Sequence, residues 1–241
     1  MKKILLLAFC VLLTASLYGQ ENPSITQRLK ELYPIATYNG GIYHVFSKDL
    51  KHQGLCDNQG KEILQPLYNE IFIKQLLKIG VCTLKKDGKA GVVNKDGRLL
   101  LPCIYDKVYI DKQNFIEIKL QGKEGLYDLN AKELIPCQYD EISAFMLEEG
   151  DYCDVKLNGK RGLFHLKKKK ELIPCLFDYI SFNKESGCFE VEQNEKKGLY
   201  SADGKEVVPC NYDNLSYDKE MLYYEAEKNR KSGVLGKNHT M

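Results

Sequence analysis

The sequence predicts an all-β chain of tandem repeats, each about 35 residues long and each a meander of three or four short strands. Three observations predict it: a glycine that returns at near-constant spacing, a proline at a near-constant distance after it, and a period-two alternation before it. The glycines are Gly54, Gly91, Gly125, Gly162, Gly198 and Gly233, about 34 to 37 residues apart, inside the range of repeat architectures. The prolines are Pro66, Pro102, Pro136, Pro174 and Pro209. Three residues beyond the last four stand Tyr105, Tyr139, Phe177 and Tyr212, each followed by Asp106, Asp140, Asp178 or Asp213; the first repeat is a residue shorter there, with Tyr68 and Asn69. One supersecondary unit is written five times, and a sixth copy is truncated.

In chain order, "MKKILLLAFCVLLTASLYGQ" has a basic start, an apolar stretch from Ile4 to Leu13 and a small or polar end. That is the layout of a secretory signal peptide over residues 1–19, too short and wrongly flanked for a stable span. Residues 20–35 read as a cap on the array. Within them "SITQRLKELY", 24–33, places Ile25, Leu29 and Leu32 on one helical face, with Ser24 as the expected N-cap. End repeats need such a shield because their core is otherwise open.

Residues 36–241 form the repeat domain. Nine residues before the glycines stand Val45, Cys82, Ile116, Cys153, Phe189 and Tyr224; seven before stand Ser47, Leu84, Ile118, Val155, Val191 and Ala226. Mostly polar residues separate them, the alternation of a strand with one buried face. Two apolar residues follow each glycine, as in Val92-Val93 and Leu163-Phe164, which suits a strand covered on both sides. The turns "DNQG", "NKDG" and "SADG" end in a glycine that can take positive φ. "LIPC" and "VVPC" are short strands whose proline lacks a donor, and "YDKVYI" and "FDYISF" open the next strand. No helical pattern interrupts the repeats. Two architectures accommodate this period: an open twisted array, which the unmatched ends favour, and a closed β-propeller.

The glycine, the aliphatic pair, the turn, the apolar-Pro step and Tyr-Asp-x-Val/Ile together resemble the WG-repeat, or KWG, family of bacterial β-repeat proteins, over about residues 36 to 235. The family's tryptophan is replaced by Gln53, Ala90, Glu124, Arg161, Lys197 and Ser232, and the chain contains no tryptophan. The resemblance implies tandem β-repeats used as an extracellular or envelope module, with no catalytic residues to carry over.

Composition narrows the function. With 35 basic and 33 acidic residues in 241, the chain lacks the field of a nucleic-acid binder. The run Lys167–Lys170 occupies a turn slot, and no later segment is long and apolar enough to cross a bilayer. Cys103, Cys137, Cys175 and Cys210 share the slot after proline, while Cys56, Cys82 and Cys153 stand at apolar register positions. They read as small buried hydrophobes, with disulfides between neighbouring repeats as the alternative; their spacing gives no metal site. The four recurring aspartates read as turn residues that bond nearby backbone. His44, His52, His165 and His239 are dispersed, and no nucleophile, zinc or phosphate-loop motif occurs. No catalytic residue, metal or cofactor is therefore assigned. Tyrosines outside the register, Tyr38, Tyr43, Tyr109, Tyr179, Tyr217 and Tyr223, are the binding candidates, as aromatics with a polar tip serve recognition. The expectation is an exported, non-enzymatic module that meets a protein or glycan at the periplasmic, outer-envelope or secreted side. An envelope hydrolase or lyase with a propeller-like cleft is the alternative.

Overall fold

The computed structural model of the chain describes residues 20–143 and 152–236. The signal-peptide reading of residues 1–19, and His239, lie outside these. The described chain is strand-rich and forms six small antiparallel sheets of three or four strands, one per repeat, none closed on itself. This fits the open array.

The chain divides into two compact units: residues up to Gln121 together with Tyr127–Lys132, and Gly122–Leu126 together with Glu133 onward. The first unit opens with helix α1 (Pro23–Leu32) and the sheet β1 (Ala36–Asn39), β2 (Ile42–Phe46), β3 (Gln53–Asp57) and β4 (Glu62–Tyr68). Its second sheet is β5 (Glu70–Ile71), β6 (Val81–Lys86), β7 (Lys89–Asn94) and β8 (Leu99–Tyr105), with helix α2 (Ile73–Ile79) between β5 and β6. The antiparallel pair β9 (Lys107–Ile110) and β10 (Ile116–Leu120) follows. Strands β11 (Lys123–Tyr127) and β12 (Glu133–Tyr139) then lead into the sheet β13 (Glu141–Ser143), β14 (Tyr152–Leu157), β15 (Lys160–His165) and β16 (Lys170–Phe177). The fifth repeat is β17 (Tyr179–Asn183), β18 (Cys188–Gln193), β19 (Lys196–Ser201) and β20 (Glu206–Tyr212). The three-stranded sixth is β21 (Asn214–Asp218), β22 (Tyr223–Lys228) and β23 (Lys231–Leu235).

Two helical expectations need correction. The N-cap of α1 is Asn22, not Ser24: the Asn22 side chain accepts from the Ser24 backbone N–H at 3.1 Å, and Pro23 takes the first helical position, where its missing donor costs nothing. The helix packs on the first sheet: Leu29 is fully buried with Ala36, Tyr43, Val45 and Cys56. The second correction is α2 itself. Its single buried turn, at Leu76, is too short to show a period, and it ends on Gly80 in the left-handed conformation, φ 79°.

The anchor glycine and the proline are two halves of one device. Opposite Gly91, β8 bulges, and the register slips between Ala90 and Val92. A Cβ on Gly91 would lie 2.6 Å from the Leu101 carbonyl oxygen and 2.9 Å from the Pro102 carbonyl carbon. Gly54, Gly162 and Gly198 meet the bulges at Pro66, Pro174 and Pro209 in the same way. The fixed Gly-to-Pro spacing is thus a steric record of strand crossing bulge.

The recurring aspartates do more than fix a local bend. Asp106 accepts from Lys89 Nζ at 2.5 Å in its own repeat and from the backbone N–H of Gln121, in the next hairpin, at 2.6 Å. Asp140 does the same with Lys123 at 2.5 Å and Asn158 at 2.6 Å. Asp178 holds Lys160 and Asn194, and Asp213 holds Lys196 and Asn229. Each caught N–H belongs to the first residue of a two-residue hairpin turn in the left-handed conformation, from φ 52° to 54°. In the first repeat Asn69 plays the part, accepting from Asp87 N–H at 2.8 Å. The Lys167–Lys170 run is a turn as expected, with β16 starting at Lys170 and the Lys169 ammonium donating to the Glu133 carbonyl at 2.6 Å.

None of the eight cysteines from Cys56 to Cys210 is joined in a disulfide, so the disulfide alternative is not what the structure holds. Cys56, Cys82, Cys153 and Cys188 are buried, while the four after proline are half-buried. Burial pushes the Cys82 and Cys175 thiols up to about 12 and Cys56 to about 11. At pH 8 these three therefore hold almost no thiolate, the nucleophilic form. A thiol reagent monitored by intact mass at that pH is expected to modify Cys56 and Cys82 slowly in the native protein and every thiol quickly after denaturation; rapid native labelling of Cys82 would contradict the burial.

Candidate functional site

The structure divides the six candidate tyrosines. Tyr43 is fully buried and opposes Cys56, the register slot that Tyr224 occupies opposite Leu235. It stands eleven residues before its glycine and not nine, because residues 47–52 lengthen the first hairpin by two residues relative to its sisters. Its hydroxyl lies 3.1 Å from Thr26 Oγ1. Tyr38 and Tyr217 are register residues too, each 5.0 Å ring to ring across the strand from Tyr43 and Tyr224. Tyr223 is half-buried opposite Asp218. Tyr109 and Tyr179 stand in solvent, 57 % and 55 % exposed.

Tyr109 borders a groove of about 660 Å³ in the first unit, formed by the second sheet, α2 and β9. Three departures from the repeat coincide there. The slot on the first strand that holds Thr37, Ser143, Ser181 and Ser216 elsewhere holds Phe72 and Tyr109 in these two consecutive repeats, and both line the groove. The facing slot on the second strand, acidic in Glu117, Asp154, Glu190 and Glu225, is Thr83. The slot before the glycine, long and polar in Gln53, Glu124, Arg161 and Lys197, is Ala90, which leaves the floor open.

Helix α2 supplies Gln75. Its side-chain oxygen accepts from the Thr83 backbone N–H and hydroxyl, each at 3.2 Å, which fixes the carboxamide. The amide N–H groups of Gln75 make no bond to the chain among the described residues. Lys85 lies 5.4 Å from the Phe72 ring centre and 2.8 Å from Glu70. The one carboxylate lining the groove, Asp106, is occupied by Lys89 and Gln121, which hold its pKa below the usual range, Lys89 contributing most. Lys107 has no carboxylate partner among the described residues and sits opposite Lys119 in the register. The groove is therefore lined by two aromatic rings, one of them under the Lys85 ammonium, a fixed amide donor and further ammonium groups, around the small Ala90.

None of the described histidines reaches it. His44 bonds Gln53 at 3.0 Å, and burial lowers its pKa; His52 lies 3.9 Å from Asp49; His165 packs against Tyr152. Among the described residues no group of three or more His, Cys, Asp or Glu side chains is arranged to hold a metal ion. Phe72 is hard to find in the sequence because β5 is too short to alternate, although its slot, immediately before α2, follows the same Asx-x-x-aromatic step from Asn69 as Tyr109 does from Asp106.

The profile of the WG containing repeat matches residues 54–73, 91–123, 125–160 and 167–196, and three of these matches begin on an anchor glycine. The chain belongs to the WG-repeat family. In this WG-repeat chain the residue before the glycine is never tryptophan, and at the groove it is Ala90, the smallest of the six. No curated protein matches the sequence. Among solved structures, a eukaryotic initiation factor is 9 % identical, with 86 % of this chain and 63 % of that chain covered and a TM-score of 0.32. PorZ, a surface component of the type-IX secretion system of Porphyromonas gingivalis, is 9 % identical over 83 % of this chain and 31 % of its own, at 0.25. The extracellular domain of a one-component system from B. thetaiotaomicron is 12 % identical over 82 % and 34 %, at 0.27. The WG-repeat chain thus spans less than two thirds of each, and at these scores none bears on its function. No helix among the described residues is long and apolar enough to cross a membrane.

Proposed function

We propose that the chain is an exported, non-enzymatic β-repeat module that engages a protein or glycan at the cell envelope through the groove between Phe72 and Tyr109. The observation that carries this reading is the coincidence at one place of two exposed aromatics, an opened floor and an inserted helix in an otherwise regular repeat. Grooves of this size and mixed lining suit ligand capture. The sole carboxylate lining it is already spent on an ammonium and a backbone donor, which argues for holding a ligand rather than for acid–base chemistry. Export rests on the reading of residues 1–19.

The test is retention of the purified chain on an isolated envelope fraction. The double variant Phe72→Ala/Tyr109→Ala is expected to keep its thermal midpoint, since both rings are exposed, and to lose retention at least about tenfold. Retention equal to that of the parent chain removes the groove from the reading.

A further inference from the structure

We propose that the groove is a site for an acidic sugar, a hexuronic acid unit of an anionic glycan. This rests on the reading of the groove as the module's contact site and names its ligand. Two features select the ligand. The aromatic pair Phe72 and Tyr109 offers flat apolar faces to the C–H faces of a pyranose ring, and Gln75 offers fixed N–H donors to its hydroxyls. The charge selects the acid. Facing Phe72, where four of the other repeats place a carboxylate, Glu117, Asp154, Glu190 or Glu225, stands Thr83; Glu117, opposite Tyr109 in the register, is outside the groove's lining. With Asp106 engaged by Lys89 and Lys107 unpaired, the groove carries an uncompensated ammonium and no free carboxylate in its lining. A carboxylated ring supplies the missing negative charge.

The experiment is calorimetric titration of the full chain with an α-1,4-linked trigalacturonate, with maltotriose as the neutral counterpart and a Glu/Tyr-rich acidic peptide as the protein-like one. Trigalacturonate is expected to bind, more weakly as salt rises, and at least about tenfold more tightly than maltotriose. Tyr109→Ala is expected to weaken it about tenfold and Lys107→Gln by several-fold, mainly at low salt. Ala90→Gln is expected to abolish binding without unfolding the chain, because Gln53 occupies that slot in the first repeat. Equal binding of maltotriose overturns the acidic specificity. Binding of the peptide alone overturns the sugar in favour of a protein ligand, and no binding of trigalacturonate overturns the proposal. Each of these results leaves the envelope-retention test to judge the module reading by itself.

Discussion

Gly91→Ala is expected to destabilise the protein by about 3 kcal/mol, at the upper end of what overpacking costs. Every atom that its Cβ would strike belongs to backbone: the Leu101 oxygen at 2.6 Å, the Pro102 carbonyl carbon at 2.9 Å and the Cys103 nitrogen at 3.0 Å. A side chain can rotate away from an intruding methyl, but these three can move only if the bulge of β8 opens. Opening it disturbs Leu101, 5 % exposed, on one side and Tyr105, 8 % exposed, on the other. Gly88→Ala is the natural control. Gly88 sits at φ 76° with no atom within 4 Å of the place a methyl would take, so its cost is conformational only, about 1 kcal/mol. Urea unfolding of the two variants should share a slope and differ in midpoint. A Gly88 variant as damaged as the Gly91 variant would mean that turn conformation, not strand crossing, sets the glycine.

Acid is expected to weaken the whole array through the four aspartate clasps at once. Asp106, Asp140, Asp178 and Asp213 all have pKa values lowered in the folded protein, first by the lysine ammonium and then by the caught backbone N–H. A carboxyl with a lowered folded pKa contributes stability that is fully present above its unfolded value, about 3.9, and is lost as pH falls through the folded value. The urea midpoint should therefore stay level from neutrality to about pH 5 and drop steeply below about pH 4. Asp49 and Asp203, held down chiefly by the Ser47 and Ser201 hydroxyls, add to the same drop. Replacing the four clasp aspartates with asparagine should lower the midpoint at pH 7 and flatten most of this acid limb. An unchanged acid limb in that variant would assign the pH dependence to other carboxylates.

The strands were legible in the sequence because their signals are local. Alternation, the Gly-to-Pro spacing and the turn glycines are each set by one strand and its immediate neighbour, and they place the sheets correctly. Where a signal depended on counting across a loop, it slipped: the longer first hairpin moved Tyr43 out of its apparent register, though it is the structural twin of Tyr224. The clasps were half legible. Aspartate beside a turn reads as a backbone partner, and it is one, but the backbone it holds lies 15 to 18 residues further on, in the next hairpin. The groove was least legible, since it consists of a side chain made small, Ala90, and a charge left out, Thr83. Such absences acquire meaning only once the equivalent slots of all six repeats are known from the register.

Each clasp also has a direction. Its lysine comes first in the chain, its aspartate 17 or 18 residues later, and the turn it holds later still. A chain threading through a pore with its N-terminus leading would present every holder before the turn that needs holding. Within each compact unit, a finished repeat would then be the template on which its successor's hairpin closes, and the order of emergence would match the order of assembly.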